Sequence, residues 1–214
     1  AAVLSDEKER TMTTAKTFNT KYMVELALMI AVILLMAFTP LGYIRTPGLA
    51  ITLLTIPVTV GAVILGPAGG AVCGLAFGLT SFYQCFGMSA FSTMLLTINP
   101  VGTFITTVVP RVLEGWLSGL IFEALYRSVK TRKISYYVVS LACPLLNTLL
   151  FMSSLVIFFY HTDYIQGLAS SLGAGNAVTF VAAFVGLQGV IEAVICFLAG
   201  SVITRTLHGI LNKV

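Results

Sequence analysis

Charged side chains are scarce in this sequence: 9% of its 214 residues are Asp, Glu, Lys or Arg, whereas 57% are hydrophobic. Soluble domains carry about 25% charged residues, because their surfaces must be covered with polar groups. Four long runs lack charge altogether, at residues 26–44, 46–110, 134–162 and 164–191. Since one crossing of the hydrocarbon core takes about 20 apolar residues, the longest run holds more than one span. This scarcity excludes a soluble domain and predicts an integral membrane protein.

Catalytic and metal-binding motifs are also missing. The two histidines, His161 and His208, fall at the ends of apolar runs, and an intramembrane serine protease would need one within its helices. There is no P-loop, no HExxH motif and no pair of carboxylates at catalytic spacing. The four cysteines lack CxxC or metal-ligand spacing, and we interpret them as small buried hydrophobic residues. We therefore expect no enzyme, no metal site and no cofactor.

The uncharged runs predict an all-α bundle of six transmembrane helices. Their expected bounds are 22–43, 49–65, 70–86, 101 or 110 to 126, 135–160 and 178–207. Pro57 predicts a kink or a broken helix in the second span, and the tetrad Gly66-Pro67-Ala68-Gly69 predicts a tight turn before the third. Merging or splitting spans at Pro57 and Pro110 would give five or seven. Glycine at every fourth residue from 70 to 78 predicts close approach of a neighbouring helix.

Basic residues predict how the bundle lies in the membrane. With the N-terminus inside, the inner segments hold most of them: Lys16, Lys21, Arg127, Lys130, Arg132, Lys133, Arg205 and Lys213. The outer loops then hold Arg45, so the positive-inside rule places both termini in the cytoplasm. We expect a polar N-terminal segment at 1–21, which includes residues before Met12, a transmembrane domain at 22–208 and a cytoplasmic tail at 209–214. The net charge of +4 indicates no nucleic-acid partner, because no basic face is visible.

Ionisable residues inside the predicted spans are candidates for function, because a charge near the bilayer centre costs about 2.5 to 3.5 kcal/mol on insertion scales. Arg111 and Glu114 stand three residues apart, on one helical face. Two readings stay open: a structural pair that neutralises itself, or a guanidinium that binds an anionic solute while Glu114 orients it. Glu192, one turn from Gln188, either pairs with Arg111 or meets the ligand.

Uncharged polar side chains cluster towards the predicted outer ends of the spans. Amide and phenol groups among apolar walls are typical of small-molecule pockets. Asn147, in the middle of the fifth span, either bonds to a neighbouring helix or lines the pocket. The predicted substrate-binding set is Tyr83, Gln84, Asn99, Arg111, Glu114, Asn147, Asn176, Gln188 and Glu192.

Two stretches resemble a known family. Residues 50–58, with the sequence AITLLTIPV, lead through Leu65-Gly66-Pro67 to Gly78-Leu79-Thr80-Ser81. Ile98-Asn99-Pro100 is then followed by Pro110-Arg111 and two further glycines. In order and spacing these motifs are similar to the substrate-binding S-components of energy-coupling factor (ECF) vitamin transporters, in the branch of pantothenate and of hydroxymethylpyrimidine or pyridoxine.

The resemblance covers residues 22 to 208 and implies a function. It implies six helices in a bacterial cell membrane and a vitamin site near the outer surface, built from helices four to six and the outer loops. It implies no ATPase within the chain, because a transmembrane coupling subunit and two ATP-binding subunits energise transport while the S-component topples. The docking surface implied for the coupling subunit is Ala27 and Ala31 on the first helix, which also form a smooth face.

Pantothenate is the expected vitamin, since its carboxylate suits Arg111. Vitamin B6, hydroxymethylpyrimidine and, ranked lower, riboflavin are the alternatives within the family. The rival outside it is a structural subunit of another membrane complex, in which the polar residues serve packing.

Overall fold

The computed structural model describes residues 20–40, 42–44 and 51–211, where the chain forms seven helical elements and one short ribbon. The helices are α1 (Thr20–Phe38), α2 (Thr55–Gln84), α3 (Ala90–Ile98), α4 (Pro100–Tyr126), α5 (Ser135–Phe159), α6 (Asp163–Ser171) and α7 (Ala177–Leu211). The ribbon pairs β1 (Tyr43–Ile44) with β2 (Ile51–Thr52) in antiparallel register. Five helices in this part of the chain are long and apolar enough to cross a membrane. The expected membrane protein is confirmed at this level.

The first helix ends at Phe38, earlier than the predicted end of the first span at Tyr43. Thr39 precedes Pro40, and a residue before proline is disfavoured in the helical conformation. The chain then turns, and Tyr43 pairs with Thr52 across the ribbon. The fold departs from the predicted all-α bundle at this ribbon, which is too short to leave a periodic signal in the sequence.

The second element, α2, folds back on itself. Gly66 has non-helical backbone angles (φ 73°, ψ −171°), which favour glycine. A methyl group on Gly61 would lie 2.6 Å from the sulfur of Cys73. In one straight helix these residues would be about 18 Å apart, so the two segments form a hairpin. The predicted turn is confirmed at Gly66.

The hairpin bears on the number of spans. Its arms, residues 55–65 and 67–84, extend about 16 and 27 Å at 1.5 Å per residue, whereas the hydrocarbon core is about 30 Å thick. The first arm is too short to cross alone, so the six-span count stays a prediction. The basic residues Lys16, Arg45 and Lys213, which contribute to the predicted orientation, lie outside the described residues.

The predicted kink at Pro57 was wrong. Pro57 lies in the first turn of α2, where a backbone N–H would have no carbonyl acceptor within the helix. The absence of an N–H at proline therefore does not disturb the helix there. The open choice for the start of the fourth span is also settled. Helix α4 begins at Pro100, capped by the Asn99 side chain, and Pro110 lies inside it.

The predicted glycine face packs α2 against α4. A methyl group on Gly74 would overlap the carbonyl oxygen of Arg111, and one on Gly70 would overlap that of Gly115. A methyl on Gly78 would lie 2.9 Å from the Cα of Val108. The two backbones therefore touch along what we call the glycine seam. The prediction of close helix approach is confirmed, and the seam fixes where α4 stands.

The two ends of the bundle are closed differently. Near the Gly66 turn, the rings of Phe122, Tyr126, Tyr136 and His208 pack together with centroid separations of 5.1 to 6.1 Å. This is the end at which the basic residues 127–133 follow α4. At the other end, the short helices α3 and α6 cover the bundle, and α7 is interrupted by non-helical angles at Gly186.

Candidate functional site

A cavity of about 830 Å³ opens at the end of the bundle opposite the Gly66 turn. Residues from α1, the ribbon, α2, α3, α4, α5 and α7 line it, so most of the chain contributes. Its polar lining residues are Thr39, Tyr43, Thr52, Ser81, Gln84, Ser89, Ser92, Thr107, Arg111, Asn147, Thr148 and Glu192. Its larger apolar lining residues are Phe38, Phe77, Met88, Phe91, Phe151, Met152 and Val185. Apolar walls with a few polar groups are typical of small-molecule sites.

Arg111 is the buried cation of this cavity, with 9% of its surface exposed. Its guanidinium carbon lies 4.5 Å from the ring centroid of Phe151 and 5.4 Å from that of Phe77. Contact with aromatic faces stabilises a guanidinium while leaving its N–H groups for hydrogen bonds. Its Nε has no hydrogen-bond partner among the described residues.

Pro110 explains how the guanidinium is anchored. A proline has no N–H, so the carbonyl of Thr106, one turn earlier in α4, loses its helical donor. Arg111 Nη1 donates to this carbonyl oxygen at 2.9 Å. One side-chain donor thus replaces the missing backbone bond and fixes the direction of the side chain. The sequence pair Pro-Arg builds a rigid cation inside the membrane domain.

Glu192 faces Arg111 from α7 across the cavity lining. Its Oε2 accepts a hydrogen bond from the backbone N–H of Thr52 at 3.2 Å, which ties β2 to α7. Its Oε1 has no partner among the described residues, and neither have Oδ1 of Asn147 and Oγ1 of Thr52. A buried polar group without a partner costs about 1–3 kcal/mol, so a polar ligand or water would stabilise this arrangement.

Tyr43 brings the ribbon into the site. Its hydroxyl lies 3.4 Å from Oγ of Ser81 on α2, and both residues line the cavity. Burial raises the pKa of the Tyr43 phenol, so the hydroxyl keeps its proton at neutral pH. The cavity therefore offers a neutral phenol donor near the Arg111 guanidinium.

Glu114 lies behind the cavity rather than in its lining. The carboxylate is fully buried, and the Cys143 thiol lies 3.8 Å from Oε1. Its Oε2 has no partner among the described residues, and neither oxygen accepts from Arg111. Arg111 and Glu114 therefore make no direct ion-pair contact, and the choice between the two readings of this pair stays a prediction. Glu114 affects the guanidinium by its field and not by contact.

The structure brings part of the predicted site together. Four predicted residues line the cavity: Gln84, Arg111, Asn147 and Glu192. Gln84 also donates from Nε2 to the carbonyl of Ala37 at 3.1 Å, which joins α2 to the end of α1. These four come from four different helices, and the fold places them around one space.

Besides Glu114, three predicted residues lie outside the lining. Tyr83 is 58% exposed and packs edge-on against Phe38. Asn99 accepts from the backbone N–H of Gly102 at 2.9 Å and caps α4, while Asn176 accepts from the N–H of Thr179 at 2.8 Å and caps α7. The cavity gives these residues, like Glu114, no support as ligand contacts. The side chain of Gln188 lies outside the described residues.

Several lining residues were missed by the sequence analysis. Ser81 precedes Gln84 by three residues, Thr107 precedes Arg111 by four, and Phe151 follows Asn147 by four. Helical periodicity around each selected residue would have found these neighbours. Tyr43 and Thr52 carry no such signal, because the ribbon that delivers them is two residues long on each strand.

Comparison with known proteins agrees with the assignment of a membrane protein. The family described as ECF transporter, substrate-specific component, matches residues 21–204. The chain belongs to this family. ECF S-components are binding subunits of transporters and not enzymes, and the five apolar helices agree with a multi-pass protein of the bacterial cytoplasmic membrane. The resemblance seen in the sequence is confirmed.

The names of two curated relatives of this S-component state a substrate. The pantothenate transporter PanT of Leuconostoc mesenteroides is 32% identical over 115 residues, which cover 51% of this chain and 54% of the relative. The pantothenic acid transporter PanT of Lactococcus lactis is 30% identical over 145 residues, or 61% of this chain and 69% of the relative. The chain thus spans about half the length of the first relative.

Proposed function

We propose that this S-component binds pantothenate in the cavity around Arg111, near the extracellular face, for uptake by an ECF transporter. The observation that carries the proposal is the anchored guanidinium in a cavity with both polar and apolar lining. A carboxylate is a strong partner for it, because charge-assisted hydrogen bonds to a planar guanidinium can form in pairs. The names of the two relatives support the same vitamin.

The remaining groups of pantothenate match the remaining lining. The vitamin carries an amide, two hydroxyls and a pair of methyl groups besides its carboxylate. The free oxygens of Glu192 and Asn147 would accept from its hydroxyl and amide N–H groups. Phe77 and Met152 would receive the methyl groups. Pyridoxine and hydroxymethylpyrimidine carry no anionic group and would leave Arg111 without a charged partner.

Calorimetry with pantothenate and panthenol tests the proposal. Panthenol has an alcohol in place of the carboxylate, so it probes the contact with Arg111 directly. We expect Arg111→Ala to weaken pantothenate binding by about 1.5 to 3 kcal/mol, as for a hydrogen bond to a charged group. Panthenol affinity should hardly change. Arg127→Ala, which removes an exposed cation after α4, is the matched control.

Equal pantothenate affinity in the wild type and in Arg111→Ala would remove the role of Arg111. A thermal-shift screen with a vitamin panel then separates the alternatives. A ligand at 100 times its dissociation constant stabilises the folded state by about 2.7 kcal/mol. A shift with pyridoxine or hydroxymethylpyrimidine alone would favour that branch. Stability unaffected by any vitamin would favour a structural subunit.

We further propose that α1 docks on the transmembrane coupling subunit while two ATP-binding subunits supply the energy and the S-component topples. Ala27 and Ala31 lie on the exposed face of α1, which supports this role. Ala27→Trp should abolish uptake in cells and leave vitamin binding intact. Leu28→Trp is the control, because Leu28 is exposed and already large. Equal uptake by both variants would exclude docking through Ala27.

A further inference from the structure

A second cavity lies at the end of the bundle opposite the vitamin site, where α5 begins and α7 ends. It measures about 500 Å³ and opens to the outside of the helices. We call it the α5–α7 groove, and it is lined by Tyr137, Ser201, Val202, Arg205, Thr206, Gly209 and Ile210. Among these described lining residues none is acidic. The groove is therefore cationic, with hydroxyl groups beside the cation.

Arg205 and Tyr137 form the polar part of the groove. Nη1 of Arg205 donates to the Tyr137 hydroxyl at 3.1 Å, and both side chains are exposed. The Tyr137 ring also packs at 6.2 Å, centroid to centroid, against Phe197 of α7. A guanidinium carries five N–H donors, so one contact with a phenol leaves donors for an anion. The phenol holds Arg205 in place without neutralising its charge.

The groove lies beside the basic turn that follows α4. Tyr136, the neighbour of Tyr137, bonds to Nδ1 of His208 at 2.9 Å, and its ring lies 6.1 Å from that of Tyr126. The guanidinium carbon of Arg132 lies 4.5 Å from the centroid of the same Tyr126 ring. Arg205 and Arg132 thus belong to one end of the bundle, where tyrosine rings are also concentrated. Tyrosine and basic residues are typical of the membrane–water interface.

An exposed apolar strip leads from the groove towards the middle of the membrane. Val194, Leu198 and Val202 follow one another at four-residue spacing on α7, with exposed fractions of 51, 60 and 65%. Leu141 is exposed one turn beyond Tyr137 on α5. A soluble anion would gain nothing from contact with such an apolar strip. An acyl chain attached to a phosphate would lie along it.

We propose that the α5–α7 groove binds an anionic phospholipid, with its headgroup phosphate on Arg205 and an acyl chain on the strip of Val194, Leu198 and Val202. The charge of Arg205 selects an anionic headgroup. The fixed guanidinium and the flanking hydroxyl of Thr206 distinguish the site from a merely basic surface. Such a lipid would join α5 to α7 at the end remote from the vitamin site.

Native mass spectrometry of the full chain from nanodiscs of equal phosphatidylglycerol and phosphatidylcholine tests the proposal. We expect phosphatidylglycerol to be retained in preference to phosphatidylcholine. Arg205→Gln should lower that preference at least about tenfold, the effect of losing a hydrogen bond between two charged groups. Arg127→Gln, with the same charge change at the same end but outside the groove, should retain the wild-type preference. Tyr137→Phe, which removes only the hydroxyl, should lower it less.

Three outcomes would overturn the proposal. Equal losses in Arg205→Gln and Arg127→Gln would indicate general attraction to the leaflet. Release of the lipid by millimolar inorganic phosphate would indicate a site for a soluble anion. An unchanged preference in Tyr137→Phe together with an unfolded Arg205→Gln would also contradict it, because the phenol is the contact that positions the guanidinium.

Discussion

Helix α4 packs tightly against α2 on one side and faces an open cavity on the other. On one surface its backbone touches α2 along the glycine seam, with no room for a methyl group at Gly70 or Gly74. On the other surface Thr107 and Arg111 face a cavity of about 830 Å³. Arg111 takes part in both, because its carbonyl oxygen lies at the seam and its side chain lies in the cavity. Tight packing on one side of the helix thus positions a charge beside empty space on the other.

The largest expected effect comes from breaking the seam. Gly74→Ala would drive a methyl group into the carbonyl of Arg111, and overpacking of this kind costs about 1–3 kcal/mol. Gly167→Ala is the matched control, since Gly167 in α6 has nothing within 4 Å of the added methyl. That variant should be stabilised by about 0.5–1 kcal/mol. Thermal unfolding of both variants in detergent measures the contrast.

The seam variant also tests whether the two surfaces are coupled. A shift of the Arg111 backbone would move the guanidinium away from its place in the cavity. Gly74→Ala should therefore weaken pantothenate binding, whereas Gly167→Ala should not. A destabilised Gly74→Ala protein with wild-type affinity would show that the cavity tolerates movement of α4.

A smaller effect is expected at Pro110, which connects helix geometry to the site. Pro110→Ala restores the backbone N–H that can bond to the Thr106 carbonyl, and the guanidinium of Arg111 then loses its anchor. We expect pantothenate affinity to fall by about 1 kcal/mol, within the range for one hydrogen bond, while thermal stability rises. Pro144→Ala in α5 is the control for loss of a helical proline. Equal affinity changes in both variants would contradict the anchoring role.

Part of this arrangement was predictable from the sequence. Glycine at every fourth residue predicts the seam, and the rarity of charge makes Arg111 and Glu192 stand out. The contact between Arg111 and the Thr106 carbonyl was missed, because Pro110 indicates which carbonyl lacks its helical donor but not which side chain will supply one. The place of Glu114 behind the cavity was missed for a related reason. Two residues three apart share a helical face, but the direction of each side chain depends on the packing of neighbouring helices.

The smallest expected effects distinguish two asparagines that look alike in the sequence. Asn147 lies in the cavity lining, and its Oδ1 has no hydrogen-bond partner among the described residues. The Oδ1 of Asn99, in contrast, accepts a hydrogen bond from the backbone N–H of Gly102 and caps α4. Asn147→Ala should weaken pantothenate binding by about 1 kcal/mol and leave thermal stability nearly unchanged. Asn99→Ala should do the reverse, lowering stability by about 1 kcal/mol, the usual cost of a lost cap. Calorimetry and thermal unfolding of the two variants measure both quantities. If Asn99→Ala changed affinity alone, the ligand would lie nearer the start of α4 than the cavity around Arg111, because a capping residue alters binding only when the ligand touches it or the helix start moves.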